Sequence, residues 1–262
     1  MIKLIAADMD GTLLDSQRRL PPDLIPVLDE LSERGILFAA ASGRQYYNLR
    51  SLFKEVADRI AFICENGGMV FYQGKNIHRS PIPFEKLSAP LAAARGLEYP
   101  AVIFCGVEAA WTENPDEIFQ SDLAKYYARR EMISDLMTVP DDVCKMAVFH
   151  PVDAEKFALS SLKRFEDDFL ISVSGKNWID LMNPGTNKGT AIKKLQDMLG
   201  ISEDETMAFG DFLNDLEMMR SCHHSYAMAN SHPELAAACR FRAPSNDDNG
   251  VMRVIREKVL AV

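Results

Sequence analysis

The chain has 262 residues, 47% hydrophobic and 26% charged, a balance that excludes disordered, fibrous and disulfide-stapled classes and points to ordinary globular cores. Its 29 Lys and Arg against 38 Asp and Glu leave a formal net charge of -9, so its overall field repels polyanions and nucleic acid is not an expected partner. This length accommodates one large domain or two modest ones, either able to fold without metals or disulfides as staples.

The first apolar run, Leu4 to Ala7, ends at Asp8, too short for a signal peptide. No later run approaches the roughly 18 residues of a membrane span, so a cytoplasmic protein without a membrane partner is expected. Leu24, Val27, Leu28 and Leu31 recur at helical spacing, and Gly35 follows as a stop signal. Ile36 to Ala41 reads as a second strand ending at Ser42-Gly43-Arg44. Leu49, Leu52, Phe53 and Val56 mark a second helix, and Ala61 to Cys64 a third strand ending in the turn Glu65-Asn66-Gly67-Gly68. Apolar runs ending in polar turns and alternating with helical stripes are the pattern of a parallel α/β sheet.

From residue 83 to 183 the pattern changes. Strand-like stretches occur at Ala101 to Phe104, Met146 to Phe149 and Phe169 to Val173, and helical ones at Phe84 to Arg95 and Ala154 to Phe165. Ser80-Pro81-Ile82-Pro83 and Asn183-Pro184-Gly185 carry linker chemistry at the two edges. The expected architecture is therefore a Rossmann-like parallel-sheet core, residues 1–82 and 184–262, with an inserted α/β domain at 83–183. Beyond it, Lys188 precedes the helical stripe Ile192, Leu195 and Leu199. Met207 to Phe209 then forms a fourth strand ending at Gly210-Asp211, and Val251, Val254, Ile255 and Val259 form a last helix.

The five cysteines, Cys64, Cys105, Cys144, Cys222 and Cys239, are scattered without a C-x-x-C pair and read as reduced core thiols. Three adjacent side chains cannot converge on one ion without distortion, so Cys222-His223-His224 reads as loop or helix surface rather than a zinc site. Trp111 and Trp178 both fall in the insert, where core packing is the default.

Ligands of open α/β sheets bind outside the carboxyl ends of the strands. Those ends carry Asp8 and Asp10, Ser42, and Asp211 with Asn214 and Asp215. Several carboxylates brought together need a compensating cation, and hard oxygen ligands suit Mg²⁺. Lys188, the Ser42 hydroxyl and the Gly43 amide are suited to phosphate oxygens. The combination suggests phosphoryl transfer.

Asp8-Met9-Asp10-Gly11-Thr12 resembles the signature of the haloacid dehalogenase superfamily. Ser42, Asn187-Lys188-Gly189 and Gly210-Asp211-Phe212-Leu213-Asn214-Asp215 are similar to its three further motifs, in order. The Glu65-Asn66-Gly67-Gly68 turn, the inserted cap and the stretches Ala227-Met228-Ala229-Asn230 and Ser245 to Val251 resemble the Cof-like branch. The resemblance implies a phosphatase acting through an aspartyl-phosphate. It makes Asp8 the nucleophile, Asp10 the general acid and base, and Lys188 the catalytic cation. Ser42, Gly43, Lys188 and Asn214 bind phosphate, and Asp8, Asp10, Asp211 and Asp215 hold Mg²⁺. Arg44 is open between a substrate contact and a helix-start ion pair, while Asn66, Lys176, Trp178 and Asp180 are candidate substrate contacts. The substrate expected is a small phosphorylated metabolite, with sugar phosphates first, and the assembly a monomer or weak homodimer. A phosphosugar mutase and a noncatalytic sugar-phosphate sensor remain alternatives. A dehalogenase is disfavoured, because Asp10 and the magnesium carboxylates have no task in that reaction.

Overall fold

The computed structural model describes residues 1–174 and 176–261, so Gly175 of the segment 174–180 lies outside it. The chain forms two compact units, Met1–His78 with Asn187–Val262, and Arg79–Thr186.

The first unit begins β1 (Leu4–Asp8), α1 (Leu24–Glu33), β2 (Leu37–Ala41), α2 (Tyr46–Leu52), β3 (Ala61–Cys64), β4 (Met69–Tyr72) and β5 (Lys75–Arg79). The second holds α3 (Phe84–Arg95), β6 (Ala101–Gly106), β7 (Ala110–Thr112), α4 (Glu117–Tyr126), β8 (Arg130–Met132), β9 (Val143–Phe149), α5 (Ala154–Leu162), β10 (Leu170–Val173) and β11 (Trp178–Met182). The chain returns to the first unit with α6 (Lys188–Leu199), β12 (Thr206–Gly210), α7 (Leu216–Arg220), β13 (His224–Met228), α8 (Pro233–Ala238), β14 (Phe241–Ala243) and α9 (Gly250–Ile255).

The core sheet runs β14-β13-β12-β1-β2-β3-β4-β5. β1 lies parallel between β2 and β12, with Ala7 opposite Ala40 on one side and Phe209 on the other. Chain order reverses at this strand, so β1 is the switch point, and it is at the carboxyl end of such a strand that open α/β sheets place their ligands. Every residue of β1 and β12 is buried, as expected for parallel strands covered on both faces. One face packs Leu4, Ala6, Ala39, Ala41, Ile63 and Ala208 against Ala191, Ile192 and Leu195 of α6. The alanines hold little side-chain volume, so α6 can lie close to the sheet.

Three local readings change. α2 stops at Leu52, although Phe53 and Val56 are still 1% exposed. Turn bonds from the Val56 amide to the Phe53 carbonyl and from the Arg59 amide to the Val56 carbonyl keep the three-residue apolar spacing after the helix has ended. His224 opens β13 rather than lying on a loop or helix surface, because the buried run Ser225 to Met228 makes it the first residue of an inner strand. The last helix widens to a π turn at Arg256–Leu260 that keeps Val259 buried. Its final carbonyls are taken up by the Arg34 guanidinium, at 3.0 Å from Val259 and 2.7 Å from Leu260. The β4–β5 connection has positive φ at both Gln73 and Gly74, the requirement of a type I′ hairpin turn.

The second unit is a six-stranded sheet ordered β10-β11-β9-β6-β7-β8, antiparallel except between β7 and β8. Alternation along its strands divides the residues. Val102, Phe104, Met146, Val148, Ile179 and Leu181 pack against α3 and α5. On the other face Ile103, Ala147, Phe149 and Trp178 meet Phe119 and Leu123 of α4. The chain's entry to and exit from this unit are tied by the Asn183 amide, which donates to the Ser80 hydroxyl and to the carbonyls of Ser80 and Pro81. Among the described residues no helix is long and apolar enough to cross a membrane.

Leu195 is wholly buried between α6 and the core sheet. Leu195→Ala is expected to lower the unfolding free energy of the core by about 2–5 kcal/mol in urea titrations.

Candidate active site

The strand ends of the core unit bring one lysine and three carboxylates together. Lys188 is the first residue of α6, where a cation is disfavoured by the helix dipole. Its neighbour Asn187 caps the helix, accepting from the Thr190 amide at 2.8 Å while the Thr190 hydroxyl accepts from the Asn187 amide at 3.2 Å. The Lys188 ammonium, wholly buried, donates to Asp8 Oδ1 at 2.5 Å and to Asp215 Oδ1 at 2.6 Å. The other Asp215 oxygen accepts from the amides of Asp211 and Phe212 at 3.1 and 3.4 Å. Asp215 is thus held on both sides and closes the loop after β12. Asp211 accepts from the Thr12 hydroxyl at 2.9 Å, while Gly11, at φ +86°, lies where a Cβ would stand 2.4 Å from an Asp211 oxygen. Only glycine lets the β1 loop turn there and pass so near the acid.

Oxygens of Asp8, Asp211 and Asp215 lie within 4.8 Å of one another. Burial pushes the Asp8 carboxyl well above the usual carboxylate range, and Asp215 adds to the rise while Lys188 opposes it. Asp211 is raised by the same two causes, burial first and then Asp215. Burial by itself would lower Lys188, but Asp215 and Asp8 outweigh it and hold the ammonium charged. One ammonium cannot neutralise three carboxylates, and the surplus negative charge adds to the rise that burial causes at Asp8 and Asp211. An all-oxygen donor set with that surplus fits a hard divalent cation such as Mg²⁺.

The second strand end lies beside the Asn66 turn. The Ser42 amide donates to the Ile63 carbonyl at 2.8 Å and the Ser42 carbonyl accepts from the Asn66 amide at 3.0 Å. Asn66, in the left-handed region at φ +52°, directs its side-chain oxygen to the Asn214 amide at 3.3 Å. A Cβ on Gly43 would stand 3.0 Å from the Asn66 side-chain nitrogen. Ser42, Gly43, Asn66 and Asn214 are therefore one polar neighbourhood. Gly67, at φ +99°, lies where a Cβ would fall 2.1 Å from the Asn187 carbonyl oxygen, so this turn abuts the start of α6.

Arg44, two residues before α2, forms an ion pair with the first strand end: its Nε donates to Asp10 Oδ2 at 2.9 Å and its terminal nitrogen to Asp10 Oδ1 at 2.5 Å. The Arg44–Asp10 pair has no signal in the spacing of 34 residues and appears only in three dimensions.

The candidates of the second unit are dispersed. Lys176 is exposed, with its carbonyl accepting from the Ala154 amide. Trp178 packs in an aromatic cluster with Phe149, at 4.9 Å between centroids, and its indole donates to Asp122. Asp180 is buried with Lys145 at 3.4 Å and accepts from the Ser174 hydroxyl at 2.5 Å. Lys145 was not anticipated, because a single lysine inside an apolar strand reads as exposed until its partner is placed.

The haloacid dehalogenase-like hydrolase family profile matches residues 5–255. A 5-amino-6-(5-phospho-D-ribitylamino)uracil phosphatase of Escherichia coli K12 is 34% identical over 99% of this chain and 96% of its own. An HMP-PP phosphatase of Cronobacter sakazakii is 28% identical over 90% of this chain and 88% of its own. Among solved structures, a Streptococcus mutans UA159 protein superposes with a TM-score of 0.86 at 28% identity, covering all of both chains.

Gly67→Ala adds a methyl group against the Asn187 carbonyl in a left-handed conformation. It is expected to destabilise the protein by about 1–3 kcal/mol from the backbone strain alone, read as a lowered melting temperature, and to reduce turnover by displacing Lys188.

Proposed function

Because the chain belongs to the haloacid dehalogenase-like hydrolase family, and is a phosphoric monoester hydrolase of its Cof type, we propose that it is a Mg²⁺-dependent phosphatase. Its substrates in this reading are small phosphorylated metabolites, sugar phosphates first, and it works through an aspartyl-phosphate on Asp8. The observation that carries this reading is the convergence of Asp8, Asp211 and Asp215 around the buried Lys188.

Asp8 attacks phosphorus in line; the new bond joins its carboxylate oxygen to phosphorus as the bond from phosphorus to the leaving oxygen breaks. Asp10 gives its proton to that leaving oxygen, so an alcohol departs rather than an alkoxide. Water then attacks the aspartyl-phosphate, passing a proton to Asp10 and releasing phosphate with Asp8 restored. Lys188 stays charged through both steps and offsets the negative charge that gathers on Asp8 and the phosphoryl oxygens. The Ser42 hydroxyl, the Gly43 amide and the Asn214 side chain bind those oxygens, and Asn66 orients Asn214 through the bond described above. Asp8, Asp211 and Asp215, with the Asp10 carbonyl, would hold Mg²⁺. When bound, the ion supplies charge neutralisation between the two reacting anions.

Choice of leaving group falls to the insert, because the core residues all address the phosphoryl group that every substrate shares. Lys176, Trp178 and Asp180 lie on the return segment of that insert, Lys176 exposed and Trp178 and Asp180 buried. The named substrate of the E. coli relative carries its phosphate on a ribityl group, which supports a polyhydroxylated substrate for this chain. Five buried cysteines in the thiol form suit a reducing, cytoplasmic setting.

The test is phosphate release from a panel of sugar phosphates, nucleotides and p-nitrophenyl phosphate with Mg²⁺ or EDTA. Release that requires Mg²⁺ and is abolished in Asp8→Asn is the expected outcome. Binding without release, or transfer of the phosphoryl group within the sugar, rejects it. In thermal melts, Mg²⁺ at a hundred times its Kd should add about 2.7 kcal/mol of stability, and Asp211→Asn should remove most of that gain.

A further inference from the structure

The proposed chemistry leaves one close contact of the site without a task, the ion pair between Arg44 and Asp10. Nε and a terminal nitrogen of one guanidinium each meet a different oxygen of one carboxylate, at 2.9 and 2.5 Å. The two partners are not equally free. The Arg44 side chain is 13% exposed against 49% for Asp10. Arg44 is also fixed along its length: its amide donates to Ser42 Oγ at 3.2 Å, its carbonyl accepts from the Glu65 amide at 3.2 Å, and its remaining terminal nitrogen reaches Asn48 Oδ1 at 3.5 Å. The fork is therefore anchored to the second strand end, and the half-exposed carboxylate is the group it orients.

A two-point bond between planar groups sets both the position and the plane of the carboxylate, which a lysine ammonium cannot do. Left alone, a short side chain on a loop would divide its time among its rotamers. Proton transfer needs the acid within hydrogen-bond reach of the leaving oxygen, and a displacement of about 1 Å costs roughly a hundredfold in rate.

We propose that Arg44 is the positioning residue for Asp10, holding its carboxylate in the one orientation that serves the leaving oxygen and then the attacking water. This rests on the acid and base role read for Asp10 above. Arg44 makes no bond to the phosphoryl group in this scheme and does not select the substrate.

The experiment is a double-mutant cycle with Mg²⁺ present: Arg44→Gln and Asp10→Asn singly and together, with Arg44→Lys as the charge-conserving control. Steady-state constants are measured on glucose 6-phosphate, an alkyl ester that needs a proton on its leaving oxygen. The p-nitrophenol burst is measured on p-nitrophenyl phosphate, whose leaving group departs without one. Arg44→Gln is expected to lower kcat on glucose 6-phosphate roughly 10- to 100-fold with little change in KM. It should leave the burst rate nearly intact and cause no further loss in the Asp10→Asn background. Arg44→Lys should fall between wild type and Arg44→Gln. An unchanged kcat with a raised KM would make Arg44 a substrate contact and overturn the proposal, as would an equal loss with and without Asp10. Full turnover by Asp10→Asn would instead withdraw the acid and base role itself, and the positioning role with it.

Discussion

Three carboxylates share one buried ammonium, and the structure of the core unit is arranged around that imbalance. Lys188 is wholly buried and bonded to Asp8 and Asp215, yet Asp8 and Asp211 are still raised above the ordinary carboxylate range. A charge taken out of water without compensation is costly, so each neighbouring element contributes something to offset it. The amides of Asp211 and Phe212 bind Asp215, and the Thr12 hydroxyl binds Asp211. The capping box at Asn187 and Thr190 keeps the first turn of α6 formed despite a cation at its positive end. The remaining surplus of negative charge is what a divalent cation would satisfy.

Holding such a cluster requires a rigid frame. β1 and β12 are buried along their entire length and pair in parallel, so Asp8 and the loop carrying Asp211 leave the sheet side by side. Small residues line the same sheet face, Ala6, Ala39, Ala41 and Ala208 among them, and allow α6 to bring Lys188 against the strand ends. The apolar stripe of α6 and the alanines of the sheet therefore position the charge cluster as well as stabilise the core. A bulky residue at any of these alanines would push the ammonium away from its partners.

What could be read along the chain was whatever depends on local pattern. The strands ending at Asp8, Ala41, Cys64 and Gly210 each announce themselves by an apolar run and a polar stop, and Leu24 to Leu31 by its spacing. Asp8, Asp211 and Asp215 could be expected to converge because the strand ends of a parallel sheet do so. Pattern failed where tertiary contact decides. Phe53 and Val56 prolong a helical stripe past the end of α2, because buried turns share its three-residue period. The π turn after Ile255 carries no mark in composition. Lys145 beside Asp180, and Arg44 on Asp10, join positions that only the folded chain makes neighbours. The hold on Asp215 by Lys188 and two amides is likewise a property of the closed loop rather than of its residues.

The Asn183 side chain reaches back to Ser80 and Pro81, so the insert begins and ends at one spot. A segment whose two ends meet can be removed or exchanged without altering the distance that the host chain must bridge. Recombination at two neighbouring breakpoints would give the same catalytic sheet a different insert in a single event. Under the proposed function, in which the insert chooses the leaving group, such an exchange would change the substrate while leaving the charge cluster of the core intact.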